Sequence, residues 1–237
     1  MVVNTKNKAI CKNSLDLVKK ILKIASKSRN IAYLNKNLFR RGKMADTLNV
    51  QQSLKKLLEG NKRCVVCKQQ NPRQDARRRK EVSKGQKPFA VIVGCSDSRI
   101  PPELIFDQGL GDLFVVRLAG NIVDALALGS IEYAVEHLGT KLIVVLGHGK
   151  CGAVTAATKG PDAPGHVGAI VKAIQPAVKK VQKMSGDLVD NAIRANASLV
   201  VNKIKSSKPI LAEMVNKGKI EVIGAYYNIE TGAVELL

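Results

Sequence analysis

The chain has no tryptophan, and only four phenylalanines and four tyrosines among its 237 residues. Its core must therefore be aliphatic, and no aromatic platform is available on which nucleic-acid bases could stack. No apolar run approaches the ~18–20 residues of a membrane span. The five cysteines, at 11, 64, 67, 95 and 151, are an odd number without the spacing of a disulfide framework. Acidic side chains are also few: 19 Asp and Glu stand against 39 Lys and Arg, a formal charge of +20. Internal repeats are absent, and the length suits one domain with a sizeable core.

The charge is uneven. Residues 1–45 hold twelve Lys and Arg against one acid, Asp16. A second basic run extends from Lys62 to Lys87 around Arg77-Arg78-Arg79-Lys80. Such patches can attract nucleic acid or an anionic surface. No nucleic-acid motif accompanies them, and a solvated face is the simpler reading, so neither a nucleic-acid nor a membrane partner is expected. Residues 1–43 read as a basic extension ahead of a domain over 44–237. Within the extension, Ser14 to Lys27 has the spacing of an amphipathic helix. The extension lacks the uninterrupted apolar stretch of a secretory signal. It fits either an organelle-targeting segment, for a mitochondrion or plastid, or an over-long start to a cytoplasmic protein. Asp46 and Thr47 could cap the helix that follows Met44.

Two apolar runs organise the rest. Phe89 to Gly94 leads into Cys95-Ser96-Asp97-Ser98-Arg99, and Leu142 to Gly147 leads into His148-Gly149-Lys150-Cys151. Val- and Ile-rich runs of this kind suit central strands of a parallel sheet. Ligand sites in such sheets lie at the carboxyl ends of the strands. Two Cys and one His delivered there form an open, three-ligand site of the catalytic zinc type. Thiolate and imidazole ligands favour zinc over magnesium, calcium or manganese. His148 and Cys151 are three apart, so one turn can aim both inward as a helix begins. Arg99, two residues after Asp97, would hold that carboxylate ionised and oriented. A lone Cys in a strand is ordinarily a small buried hydrophobe. The joint pattern of two strand ends, glycine turns and an adjacent Asp and Arg is what points to a metal.

The remaining segments read as scaffold. Val50 to Cys64 forms a helical arm. Asp112 to Leu118 is a strand, Ala125 to His137 a helix, and Lys159 to His166 a loop rich in Pro and Gly. Gly168 to Met184 is helical with a kink or break near Pro176. Asp187 to Lys205 is a further helix, and Ile220 to Tyr227 pairs with Ala233 to Leu236 around Glu230-Thr231-Gly232. The expected fold class is α/β, a mainly parallel sheet flanked by helices, with a C-terminal strand pair and an N-terminal helical arm. Cys64 and Cys67 form a single CxxC with no second pair, so a further metal or redox site is not the favoured reading.

The strings Gly94-Cys95-Ser96-Asp97-Ser98-Arg99-Ile100-Pro101-Pro102-Glu103, Val116-Arg117-Leu118-Ala119-Gly120-Asn121 and Gly147-His148-Gly149-Lys150-Cys151-Gly152-Ala153-Val154 resemble the signature of the β-class carbonic anhydrases. The resemblance runs from about Leu48 to the end of the chain. It implies reversible hydration of carbon dioxide to bicarbonate and a proton, by attack of a zinc-bound hydroxide. It implies one zinc per subunit on Cys95, His148 and Cys151, with Asp97 and Arg99 as the dyad that orients the hydroxide. Gly152 matches a position whose N–H binds a substrate oxygen, and Gln86 a substrate-binding glutamine supplied across a dimer interface. A homodimer or a dimer-based tetramer is implied, with the helical arms embracing the partner. Gly149 departs from the family, which often has Ser or Thr there. One branch closes its site with the Asp on zinc and carries a Trp three residues before the first ligand. Ile92 stands at that position, so the open form is expected. His137 and His166 are candidate proton shuttles only. Three other readings compete with this one. Hydrolysis of carbonyl sulfide or carbon disulfide on the same fold is the alternative. A zinc deaminase lacks its His-x-Glu here, and a non-enzymatic basic binding protein is the third.

Overall fold

The computed structural model describes residues 48–237. The basic extension, the helix expected over 14–27, Cys11 and the Asp46–Thr47 cap lie outside the described residues. The first helix, α1 (Val50–Val65), is capped by Asn49, whose side chain accepts from the Gln52 N–H while the Gln52 side chain accepts from the Asn49 N–H. The elements then run α2 (Ala76–Val82), β1 (Ala90–Gly94), α3 (Pro102–Ile105), β2 (Leu113–Arg117), a 3₁₀ turn (Ala119–Asn121), α4 (Ala125–Glu136) and β3 (Leu142–His148). They continue as α5 (Gly152–Thr158), α6 (Val167–Val181), α7 (Leu188–Lys205), α8 (Ile210–Asn216), β4 (Glu221–Tyr227) and β5 (Val234–Leu236). None of the described helices is long and apolar enough to cross a membrane.

The strands form one sheet in the order β2-β1-β3-β4-β5, parallel except for β5, which returns antiparallel on β4. The α/β class and the C-terminal strand pair are as expected. β1 and β3 are buried along their whole length, which is why their sequences are apolar without alternation. Successive side chains nonetheless go to opposite faces. Ile92, Val144 and Leu146 join one core layer with Ile174 of α6 and Ile193 of α7. Val91, Val93, Ile143 and Val145 join the other with Ile131 of α4 and Ile204 of α7. The chain leaves β1 towards β2 on one side, while β3 lies on the other. This reversal opens a crevice at the carboxyl ends of β1 and β3.

The helix over Pro176 is neither broken nor split: α6 runs through it. Pro176 and Lys172, whose carbonyl loses its partner, are both exposed, so water can satisfy that carbonyl. Helices α2 and α8 were not expected from the sequence. α2 has no buried residue. It is held by its Asp75 cap and by Arg78, which donates to the Leu110 carbonyl. Such polar anchoring leaves no periodic apolar trace.

The arm is fastened to the domain by buried polar contacts. Asn61 donates to the carbonyls of Ile105 and Gly232 and accepts from the Val234 N–H. Asp107 accepts from Arg63 Nε at 2.5 Å and from the N–H groups of Gln70 and Asn71 at 3.0 and 2.9 Å. Burial pushes the Asp107 carboxyl up, but the Gln70 N–H, the Arg63 guanidinium and the Asn71 N–H outweigh it and hold it below the usual carboxylate range. A depressed carboxylate stabilises the fold above its unfolded pKa, near ~3.9, and that contribution is lost as pH falls further. Asp107→Asn should cost about 3 kcal/mol at pH 7. It should also flatten the fall in stability between pH 5 and 3. Urea unfolding across that range measures both.

Candidate metal centre and active site

The register Gly94↔Leu146 sets the site. Cys95 leaves β1 just beyond this pair, and His148 ends β3 beside Tyr227 of β4. The chain then turns through Lys150, at φ 56°, and Cys151 becomes the N-cap residue of α5. Cys95, His148 and Cys151 are all buried, and their ligand atoms lie within 4.8 Å of one another. The two sulfurs are 4.0 Å apart.

The cluster is short of partners in one informative place. His148 Nδ1 bonds the Gly149 carbonyl at 3.0 Å, which assigns the ring proton to Nδ1. His148 Nε2 is buried with no hydrogen-bond partner. A buried lone pair facing two thiols fits a metal ligand set, and the residues present could hold one ion. The Cys151 thiol, donating to Cys95, pulls the Cys95 thiol down against its burial, helped by the N–H groups of Asp97 and Gly120. The same bond, together with burial, pushes Cys151 up.

Asp97 is turned to Arg99 rather than into the cluster. Arg99 donates through its backbone N–H and Nε to Oδ1 at 3.0 and 2.9 Å, and through Nη2 to Oδ2 at 2.7 Å. These bonds hold the Asp97 carboxyl well below the usual range, against its burial. Arg99 also donates to the Lys150 carbonyl at 3.1 Å, so it ties the loop after β1 to the loop after β3. Gly152 begins α5 with open space where a Cβ would stand. Its N–H belongs to the first turn, where no helical acceptor exists.

The other expected residues lie elsewhere. Gln86 is exposed and precedes the amino end of β1, so the length of that strand separates it from the cluster of its own subunit. His137 caps the end of α4, packed against Tyr133, and His166 is exposed at the start of α6. Cys64 donates to the Leu104 carbonyl, and the CxxC gathers no third ligand among the described residues.

Several residues of the site carried no role in the sequence reading. Arg117, at the end of β2, donates to the carbonyls of Cys95 and Asp97 at 2.7 and 2.6 Å. The Gly120 N–H donates to Cys95 Sγ at 3.1 Å, and Asn196 on α7 holds the Gly120 carbonyl at 2.8 Å. Gly120 has φ 69°, and a Cβ there would stand 2.6 Å from Ile174 Cδ1. The only advance signal was that Arg117 and Gly120 fall within one of the quoted strings.

Comparison with known proteins agrees with this geometry. The family described as carbonic anhydrase matches residues 90–234. Carbonic anhydrase 2 of Mycobacterium tuberculosis is 41% identical over 186 residues, covering 77% of this chain and 90% of that protein. A tetrameric β-carbonic anhydrase of Sordaria macrospora superposes with a TM-score of 0.62 at 28% identity, covering 67% of this chain and 84% of the other. The Coccomyxa β-carbonic anhydrase in complex with acetazolamide gives a TM-score of 0.62 at 26% identity, over 81% and 87%.

Arg117 makes two charge-assisted bonds that fix the loop carrying Cys95 and Asp97. Arg117→Met should lower stability by about 2–3 kcal/mol in urea unfolding. Arg117→Lys, which has no planar fork, should not recover it.

Proposed function

This chain belongs to the β-carbonic anhydrase family and is a carbonate dehydratase, and we propose that it hydrates carbon dioxide with a zinc ion held by Cys95, His148 and Cys151. The observation that carries the zinc assignment is the buried, partnerless His148 Nε2 beside two thiols. Two sulfur donors and one imidazole suit zinc among the common ions. When bound, zinc supplies a Lewis acid that lowers the pKa of water from ~15.7 towards ~7.

The chain's own residues then have distinct tasks. Asp97, kept ionised by Arg99, accepts a hydrogen bond from the attacking water and aims its lone pair. Its engagement with Arg99 supports the open form of the site. The Gly152 N–H donates to a substrate oxygen as charge develops there. The two sulfurs are kept as acceptors by the Gly120 N–H and by the N–H groups of Val154 and Ala153. No step requires His137 or His166, and the released proton passes to buffer.

Gln86 cannot serve the site of its own subunit, and we assign it to the site of a second copy. The tetrameric state of the Sordaria protein supports self-association, as a dimer or a dimer-based tetramer. Carbonyl sulfide and carbon disulfide remain the competing substrates, since both are linear and fit the same chemistry.

Stopped-flow hydration by the full chain, loaded with zinc, tests the assignment across pH 6.5 to 9. Activity should rise with pH and vanish in Cys151→Ser, and Asp97→Asn should lose about 10²–10⁴-fold in kcat/KM. A folded, zinc-replete protein with no hydration at any pH would refute it. The placement of Gln86 has its own test. Gln86→Ala and Cys151→Ser, each impaired alone, should regain activity when dissociated and reassembled together. In the mixed dimer one intact metal site meets one intact glutamine, whereas a glutamine acting within its own subunit would give no recovery.

A further inference from the structure

Gly149 lies between two of the three ligands, and its backbone is engaged at both ends. Its N–H donates to the Tyr227 carbonyl at 2.9 Å, and its carbonyl accepts from His148 Nδ1 at 3.0 Å. The second bond decides which imidazole nitrogen keeps its lone pair. Gly149 does not have a left-handed φ, so its backbone would accept a side chain. What excludes one is a neighbour. A Cβ at Gly149 would stand 2.8 Å from the hydroxyl oxygen of Tyr226, and the next residue to approach, Ile229, is 3.8 Å away.

Tyr226 is not free to yield. It is 6% exposed and pairs with Gly147 in the sheet. Its hydroxyl donates to Asp190 Oδ1 at 2.5 Å. Arg194, one turn further along α7, donates to Asp190 Oδ2 at 2.9 Å and lies 4.0 Å over the Tyr226 ring. The guanidinium is held in turn by Glu235 of β5. Burial and Asp190 push the Tyr226 hydroxyl up, so it remains a donor. Gly149 and Tyr226 together line a cleft of about 400 Å³ that reaches Lys150 and Thr155. Within that cleft the hydroxyl stands where a side chain of residue 149 would begin.

We propose that Tyr226 is a positioning residue for the metal centre: its hydroxyl, anchored by Asp190 and Arg194, occupies the side-chain space of residue 149 and holds the Gly149 carbonyl on His148 Nδ1. The proposal rests on the zinc reading above. It makes residues 149 and 226 one packing unit, in which a glycine is required because a tyrosine hydroxyl fills the space. The imidazole orientation at the metal is then set from β4 and α7, elements that contribute no ligand.

Such supporting contacts to a metal-binding His are typically worth about 10–100-fold in metal affinity. Zinc affinity, by competition with a chromophoric chelator, is compared for the full chain, Gly149→Ala, Tyr226→Phe and the double variant, with Cys151→Ser as control. The absorption spectrum of each cobalt-substituted protein and the melting temperature of each zinc-free protein are recorded beside it. Gly149→Ala should weaken zinc about tenfold or more and alter the cobalt spectrum. The double variant, with the hydroxyl removed, should return to within about threefold of the unsubstituted chain, a coupling between contacting residues. Additive losses in the double variant would overturn the proposal. So would melting temperatures that move while zinc affinity and the cobalt spectrum do not. If the unsubstituted chain binds zinc and Cys151→Ser does not, either failure concerns Tyr226 alone. If the unsubstituted chain binds none, the zinc reading falls and takes this proposal with it.

Discussion

The parallel pairing of β1 with β3 is the constraint on which the rest of this structure depends. Cys95 and the pair His148 and Cys151 are more than fifty residues apart in sequence, yet the register Gly94↔Leu146 brings their strands to an end together. A slip of one residue would send every core side chain of β1 to the opposite face. Both faces are buried, with Ile92 and Leu146 in one layer and Val93 and Val145 in the other. The hydrophobic core therefore fixes the register, and the register fixes the separation of the sulfurs. The site inherits its precision from packing that has no chemical role.

Burying two thiols and an imidazole at one point would be unfavourable without compensation. The structure supplies it mostly from the backbone and from arginines. The Gly120 N–H reaches Cys95 Sγ, and the start of α5 turns its N–H groups to Cys151. Arg117 donates to the carbonyls of Cys95 and Asp97. Arg99 joins the two loops through Asp97 and the Lys150 carbonyl. Positive charge thus surrounds a cluster that becomes negative when its thiols ionise. The high content of Lys and Arg has a local use here, although most of those among the described residues are exposed.

The second theme is how far the support of the site extends. Asn61 and Asp107 clamp the α1 arm to the chain around the end of α3 and to the β4–β5 turn. Tyr226, Asp190 and Arg194 form another such support. Each uses a buried polar group with its partners satisfied, which specifies one geometry where apolar contacts would tolerate several. The position of Gln86 shows the complementary case. The chain places it at the wrong end of β1 for its own site, and a second copy is the means by which it could act.

Much was legible in the sequence because it depends on local pattern. The continuous apolar runs before Cys95 and His148 announced buried parallel strands, and the strings that follow them pointed to the cluster of Cys95, His148 and Cys151, the Asp97–Arg99 pair and the family. The two long helices after residue 166 followed from periodicity, although Pro176 suggested a break that exposure of Lys172 made unnecessary. Helix α2 was hidden because Asp75 and Arg78 hold it, and no apolar stripe does. Residue identity, then, determined the chemistry available: which atoms can bind a metal, which carboxylate stays charged, which strands are central. Only the tertiary structure decided that Arg117 would serve the Cys95 carbonyl and that the Tyr226 hydroxyl would stand where a side chain of residue 149 would begin. Both contacts join residues distant in sequence through a register and a helix docking, and those are set by the sum of many weak packing interactions that no short string encodes.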